Sequence, residues 1–243
     1  MVAADHLPEE ALVELVLSTG LSTTLICTPH HLPELVTGWL FTQGLVKGSE
    51  DICSLQVCDM NRRVLVQIKQ DGSGAAASSR MIVSSGCSGG RVLAESFRIG
   101  EYYCRSELTV SMAGLDEALA NMYERLSTGQ ALSGLHCAAL VPQGGAEEIV
   151  ADVDVGRHNA VDKVIGAALT WEFPFGQSVL VTSGRVSSDM VLKAIRAGIP
   201  IIATRRSVTS LAAEFAEKTG ITVVARLSRG EPLVAGNGNR ISG

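Results

Sequence analysis

The sequence predicts an α/β chain (α+β overall), in which a smaller β-rich N-terminal domain precedes a domain of alternating strands and helices. Two observations carry this. From residue 136 onward, short apolar β-type runs alternate with helical periodicities, which implies a sheet covered by helices. Before residue 108 the pattern is dominated by β-type runs and turn signals, with a single clear helix. The expected division is 1–107 and 108–243, two units of ordinary domain size.

Taken in order, residues 11–17 and 22–28 read as a hairpin broken by Thr19-Gly20. Leu32, Leu35, Val36, Trp39 and Leu40 recur at helical spacing, with Pro33 in the first turn and Gly44 at the stop. Strands follow near 52–59 and 63–69, the second alternating Val64, Val66 and Ile68. The Gly/Ser/Ala stretch 72–79 reads as a loop, and Met81-Ile82-Val83 as a short strand leading to Ser84–Gly90. A helix begins near Ser111 with Leu115, Ala118, Leu119, Met122 and Leu126 on its inner face. Strands at 136–141, 149–155, 178–182, 200–203 and 221–226 then alternate with helices at 159–170, 187–197 and 208–219. Gly236-Asn237-Gly238-Asn239 reads as a mobile tail.

Composition narrows the function classes. A chain of 243 residues, 46% hydrophobic and 19% charged, is globular rather than disordered. No apolar run approaches the roughly 20 residues a membrane span needs. The first ten residues lack the basic region and apolar core of a secretory signal, so a cytoplasmic location and no membrane partner are expected. The net charge is −5 and the basic residues are scattered, which argues against nucleic acid as a partner. The six cysteines form no C-x-x-C pair, so a zinc ribbon or thioredoxin-like site is not expected, and no metal ligands are assigned.

The segment Asp154–Lys163 carries the sharpest chemistry. A strand-like approach ends in Gly156, then Arg157-His158-Asn159 opens a helix, with Lys163 one turn on. Polar groups at the carboxyl end of a strand, beside a helix N-terminus, suit an anionic ligand. Arginine can fork two bonds to it. The alternative is an ordinary turn with solvated Arg and His. Asp154 and Asp162 are candidates for orienting His158 or Arg157. Ser183-Gly184-Arg185 forms a second anion-receptive turn after the strand at 178–182. No G-x-G-x-x-G or Walker pattern is present. Cys87 stands in the loop Ser85-Gly86-Cys87-Ser88-Gly89-Gly90, where backbone N–H groups and serine hydroxyls can favour a thiolate.

Asp154–Gly166 resembles the signature of the FdhD family, the formate dehydrogenase accessory sulfurtransferases, or sulfur carrier proteins. Other stretches fall in the same order around it. They are Glu34-Leu35, Gly44-Leu45, Ser85-Gly86-Cys87, His136, Ala138-Ala139-Leu140, Ser183–Ser187, Lys193-Ala194, Gly198-Ile199-Pro200 and Thr209–Ala212. The resemblance implies a cytidine deaminase-like three-layer fold for the second domain. It implies a sulfur carrier that takes a persulfide from a cysteine desulfurase onto Cys87 and delivers sulfur to the molybdenum bis(molybdopterin guanine dinucleotide) cofactor of a formate dehydrogenase. The desulfurase, the formate dehydrogenase catalytic subunit and a second copy of the chain are the partners it implies.

Under the same resemblance His136, Arg157, His158, Asn159, Lys163, Ser183, Gly184 and Arg185 would hold the cofactor. So would the C-terminal stretch Arg226, Leu227, Ser228, Arg229, Gly230 and Glu231. The chain departs from the family in one place. The usual Cys-Gly-x-Cys-Gly loop is here Cys87-Ser88-Gly89-Gly90, without the second cysteine. The alternative is therefore a cofactor-binding chaperone without sulfur transfer. A third reading, a zinc deaminase, lacks support. Ala138 stands where His136-Cys137-Ala138 would need a glutamate, and no Pro-Cys-x-x-Cys follows.

Overall fold

The computed structural model describes residues 7–69, 81–83, 91–93, 102–127, 132–144, 148–228 and 230–242. Its centre is a six-stranded sheet in the order β13-β12-β11-β10-β8-β9. The strands are β8 (His136–Pro142), β9 (Val150–Asp154), β10 (Ser178–Thr182), β11 (Ile201–Thr204), β12 (Thr222–Ala225) and β13 (Leu233–Gly236). β10, β11 and β12 run parallel, while β8 lies antiparallel to both β9 and β10, and β13 is an antiparallel edge.

The period-2 alternation of these apolar strands decides the layering. Ala139, Val181, Ala203 and Val224 face one way, onto Leu115, Leu119 and Met122 of α2 (Met112–Leu126). That helix starts at Ser111, whose hydroxyl accepts the Gly114 N–H at 3.1 Å. Ala138, Leu140, Leu180, Ile202 and Val223 face the other way, onto α3 (Arg157–Ala168), α4 (Ser188–Arg196) and α5 (Ser210–Thr219).

α3 is buried almost all round, Lys163 included, because a second layer covers it. That layer is α1 (Leu32–Thr42), carried by a four-stranded sheet in the order β2-β1-β4-β3. Its strands are β1 (Ala11–Leu17), β2 (Ser22–Cys27), β3 (Ile52–Cys58) and β4 (Arg63–Ile68). Val13, Leu15, Val64 and Val66 pack against Leu35, Val36, Trp39 and Leu40. The short strands β5 (Met81–Val83) and β6 (Arg91–Leu93) pair antiparallel, and β7 (Val110–Ser111) pairs with β14 (Ile241–Ser242). No helix among the described residues is long and apolar enough to cross a membrane.

The C-terminal stretch differs from expectation. Leu233–Gly236 pairs with β12, and Thr222 Oγ1 donates to Asn237 O at 2.6 Å. Arg240, only 3% exposed, donates to the carbonyls of Ser106, Cys104 and Gly220. The glycine that suggested mobility instead permits close approach. At Gly236 φ is +82°, and a Cβ would lie 1.9 Å from Ile221 O.

Candidate functional site

The topology gathers most of the sequence-predicted site residues on one edge of the six-stranded sheet. β9, β10, β11 and β12 all end there, and His136 opens antiparallel β8 there, opposite Asp154. Three of these strand ends turn directly into α3, α4 and α5, so the three helix N-termini converge on the same edge.

The turns are laced together by short bonds. Gly184 N donates to Thr182 Oγ1 at 3.1 Å, and Arg206 N donates to Thr204 Oγ1 at 3.0 Å, the same hydroxyl-closed turn on adjacent strands. Thr204 Oγ1 donates to Gly184 O at 2.7 Å. Val186 and Val208 form a parallel bridge, and Arg226 N donates to Arg206 O at 2.9 Å. A Cβ on Gly184 would sit 2.9 Å from the Arg157 Cβ, so glycine is what lets the start of α3 lie against the β10–α4 turn.

Side chains give this edge a basic rim. Arg185, Arg206 and Arg226 are exposed, and Arg157 and His136 are half-buried. Among the described residues the buried Nε atoms of Arg157 and Arg205 have no hydrogen-bond partner, and the Arg205 guanidinium lies 5.6 Å from the Tyr123 ring centre. Burial, and then the charges of Arg157, His158 and Arg206, hold His136 below the ordinary imidazole range. Such a rim suits a phosphate-bearing ligand: two or more arginines, a neutral imidazole and several helix N-termini.

The remaining predicted residues separate by contact. His158 is 3% exposed; its Nε2 lies 2.6 Å from Asp189 Oδ2 and 3.3 Å from Ser187 Oγ. It is therefore Asp189 that orients His158, not Asp154 or Asp162. Asp154 accepts from Thr28 N, Gly156 N, Asn159 and Lys163. Asp162 pairs with Lys193 at 2.7 Å and Thr42 at 2.8 Å. Asn159 Nδ2 donates to Ile26 O at 2.8 Å, and Lys163 Nζ, fully buried, donates to Asp154 Oδ2 at 2.9 Å. Both point toward the N-terminal sheet, away from the rim. Ser183 Oγ accepts Cys137 N at 2.8 Å and ties β10 to β8.

Along the C-terminal stretch Leu227 is core at 1% exposed, while Ser228, Gly230 and Glu231 are exposed. Ser228 Oγ donates to Asp116. Arg226 and Ser228 take left-handed φ values of 60° and 54°, so this turn is specified backbone, not a slack tail. Cys87, the loop around it and Arg229 lie outside the described residues.

Sequence reasoning missed Arg205, Arg206, Ser187 and Asp189. A signal was present: Thr182-x-x-x-Val186-Ser187-Ser188 recurs as Thr204-x-x-x-Val208-Thr209-Ser210, two copies of one strand–turn–helix unit. A cavity of about 670 Å³ lined by Tyr102, Glu107, Gln143, Gln177 and Gly198 lies at the opposite end of the sheet and takes in none of the predicted residues. Cys137 is core at 1% exposed, and burial raises its thiol against the Ser183 hydrogen bond, which suits packing better than catalysis.

Comparison with known proteins gives the family and the fold. The FdhD/NarQ family matches residues 8–242. The sulfur carrier protein FdhD of Staphylococcus haemolyticus is 31% identical over 229 residues, 90% of this chain and 83% of that protein. Its counterpart of the same name in Methanothermobacter thermautotrophicus is 32% identical over 213 residues, 87% of this chain and 82% of that protein. A crystal structure from Desulfotalea psychrophila, provisionally named a formate dehydrogenase accessory protein, superposes with a TM-score of 0.74 at 27% identity, covering 96% of this chain and 90% of that one. The match runs through both larger sheets and the five α-helices of the described residues, and the chain belongs to the FdhD/NarQ family.

Proposed function

We propose that this chain is a sulfur carrier in formate dehydrogenase maturation. A cysteine desulfurase loads Cys87: the Cys87 thiolate attacks the terminal sulfur of the desulfurase persulfide, a Cys87 persulfide forms as the desulfurase S–S bond breaks, and the desulfurase cysteine leaves as a thiolate. The sulfur is then delivered to the metal of the molybdenum bis(molybdopterin guanine dinucleotide) client before that cofactor enters the formate dehydrogenase catalytic subunit. The observation that carries the binding half is the convergence of three strand-to-helix turns with Arg157, Arg206, Arg226 and His136 on one sheet edge. Phosphate groups would meet the turns and arginines, and the buried unpartnered Nε of Arg157 would gain an acceptor.

The fold reading goes with it. Counting from β8, the strand order of the six-stranded sheet is 2-1-3-4-5-6 with the first and last strands antiparallel, which supports a cytidine deaminase-like three-layer arrangement. The reaction of that fold is not part of the proposal, since Ala138 occupies the proton-shuttle position. A homodimer in the cytoplasm completes it.

The test is intact-protein mass after incubation with a cysteine desulfurase and cysteine, on the unmodified chain and Cys87→Ala. One added sulfur, removed by reductant and absent in Cys87→Ala, is expected. Gly90 in place of the family's second loop cysteine favours a second reading, a cofactor-binding chaperone without sulfur transfer. No added sulfur, with formate dehydrogenase activation intact in Cys87→Ala, would establish that reading instead.

A further inference from the structure

The structure assigns a second, separate site to the junction of the β2–α1 link with edge strand β9: we propose that His30, His31 and Asp152 bind one divalent first-row transition ion of the zinc type. Two come from the β2–α1 link and one from β9, and they present one ligand atom each, all within 4.8 Å of one another. His31 Nδ1 lies 2.8 Å from Asp152 Oδ2, and His30 Nδ1 lies 3.9 Å from Asp152 Oδ1. Bonds of about 2.0–2.2 Å to imidazole nitrogen and carboxylate oxygen put tetrahedral ligand atoms roughly 3.3 Å apart. Small rotations of two partly exposed rings reach that spacing. With side chains 62% and 36% exposed, His31 and His30 leave the remaining positions open to water.

Charge is what singles this cluster out. The Asp152 side chain is only 9% exposed, yet no lysine or arginine answers its carboxylate among the described residues. Lys163 stands nearby, 3.4 Å from His30 Nδ1. Its three N–H bonds are already directed to Asp154 Oδ2, Thr28 O and Val153 O. Asp152 Oδ1 accepts Val153 N at 2.7 Å, and among the described residues the carboxylate's other polar contacts are the two imidazoles. Imidazole and carboxylate in this ratio are zinc-type donors, and neither thiolate nor redox chemistry is required.

The backbone directs the same ring to the same place. His31 precedes α1 with φ 50° and ψ 42°, left-handed values, and makes no capping bond to the helix. Its side chain turns instead to Asp152. Binding at His31 Nδ1 needs only a tautomer shift, the ring proton moving to Nε2, so no proton is lost from a neutral ring. A bound ion would clip the α1 unit to the end of β9, two residues before Asp154. This site does not rest on the sulfur-carrier reading, because its proposed ligands are His30, His31 and Asp152.

Cobalt(II) titrated into the full, chelator-stripped chain reads the site directly. One equivalent is expected to bind with weak visible bands and no thiolate-to-metal charge transfer, zinc displaces it, and the thermal midpoint rises. His31→Asn suits the left-handed backbone and Asp152→Asn is isosteric, so both fold, as circular dichroism would show. Each is expected to weaken binding by about tenfold or more and to abolish the thermal shift. Unchanged affinity in either variant, thiolate charge-transfer bands, or no saturable binding would overturn the assignment.

Discussion

Gly38 and Gly166 meet where α1 crosses α3, and each leaves room for the other helix's backbone. A Cβ on Gly166 would lie 1.9 Å from Glu34 O and 2.6 Å from Gly38 N; one on Gly38 would lie 1.9 Å from Asp162 O. Backbone atoms cannot rotate away as a side chain can, so a methyl there forces the two helices apart.

Gly166→Ala is therefore expected to destabilise by about 3 kcal/mol or more, the upper range for overpacking a core. Because α3 also carries Arg157 and His158, the same variant should weaken anion binding at the rim. Urea unfolding, with guanosine diphosphate binding followed in parallel, checks both. An unchanged midpoint would mean that the helices do not touch as described.

Lys163 and Asp154 form a fully buried pair at 2.9 Å that joins α3 to the end of β9, and both bond to Thr28 of the β2–α1 link. Lys163→Met leaves the Asp154 charge without its cation and is expected to cost about 3–5 kcal/mol. Adding Asp154→Asn removes the stranded charge, so the double variant should be less destabilised than the sum of the singles. Strict additivity in denaturant unfolding would rule out direct coupling.

The elements were legible where their pattern is local. Leu32–Leu40 and Leu115–Met122 announce α1 and α2 by spacing alone, and β8 to β12 start and stop within about two residues of expectation, whereas β7, β13 and β14 were not foreseen. The basic edge was legible in part, because Arg157 and Arg185 follow strand ends in sequence. What was hidden depends on partners far along the chain. Nothing near His158 points to Asp189, and nothing near Lys163 shows that Thr28 and Asp154 will enclose it. Gly236 reads as a flexible residue until Ile221 is seen lying against it.

Asp189 supplies a pH prediction. Burial alone would raise its carboxyl, but the hydrogen bond and charge of His158, the Ser187 hydroxyl and Lys193 outweigh burial and hold it well below the ordinary carboxylate range. The folded value is thus below the unfolded one. The stabilisation is complete above the unfolded value of 3.8 and is lost as pH falls through the folded value. Asp189→Asn should lower stability at neutral pH and flatten the acid limb of the stability curve between about pH 5 and pH 2. An acid limb as steep as in the unmodified chain would assign the loss to other carboxylates.

His136 reports on the rim itself. Burial lowers its value first, and the charges of Arg157, His158 and Arg206 lower it further, with only Asp154 opposing them. In the free chain the ring therefore stays neutral to a lower pH than an ordinary imidazole. A folded value below the unfolded 6.5 means that the unfolded chain takes up its proton first, so this group's contribution to stability falls as pH drops below 6.5. A phosphate dianion at the rim adds negative charge beside the ring and should move its titration upward. Linkage then requires anion affinity to increase as pH falls from 7.5 toward 6. Arg206→Gln should raise the His136 titration in the free chain by removing an opposing charge, while weakening anion binding. Histidine resonances followed by NMR against pH, with His136 assigned through His136→Gln, measure both effects. A His136 titration indifferent to the anion and to Arg206→Gln would place the phosphate site elsewhere on the molecule.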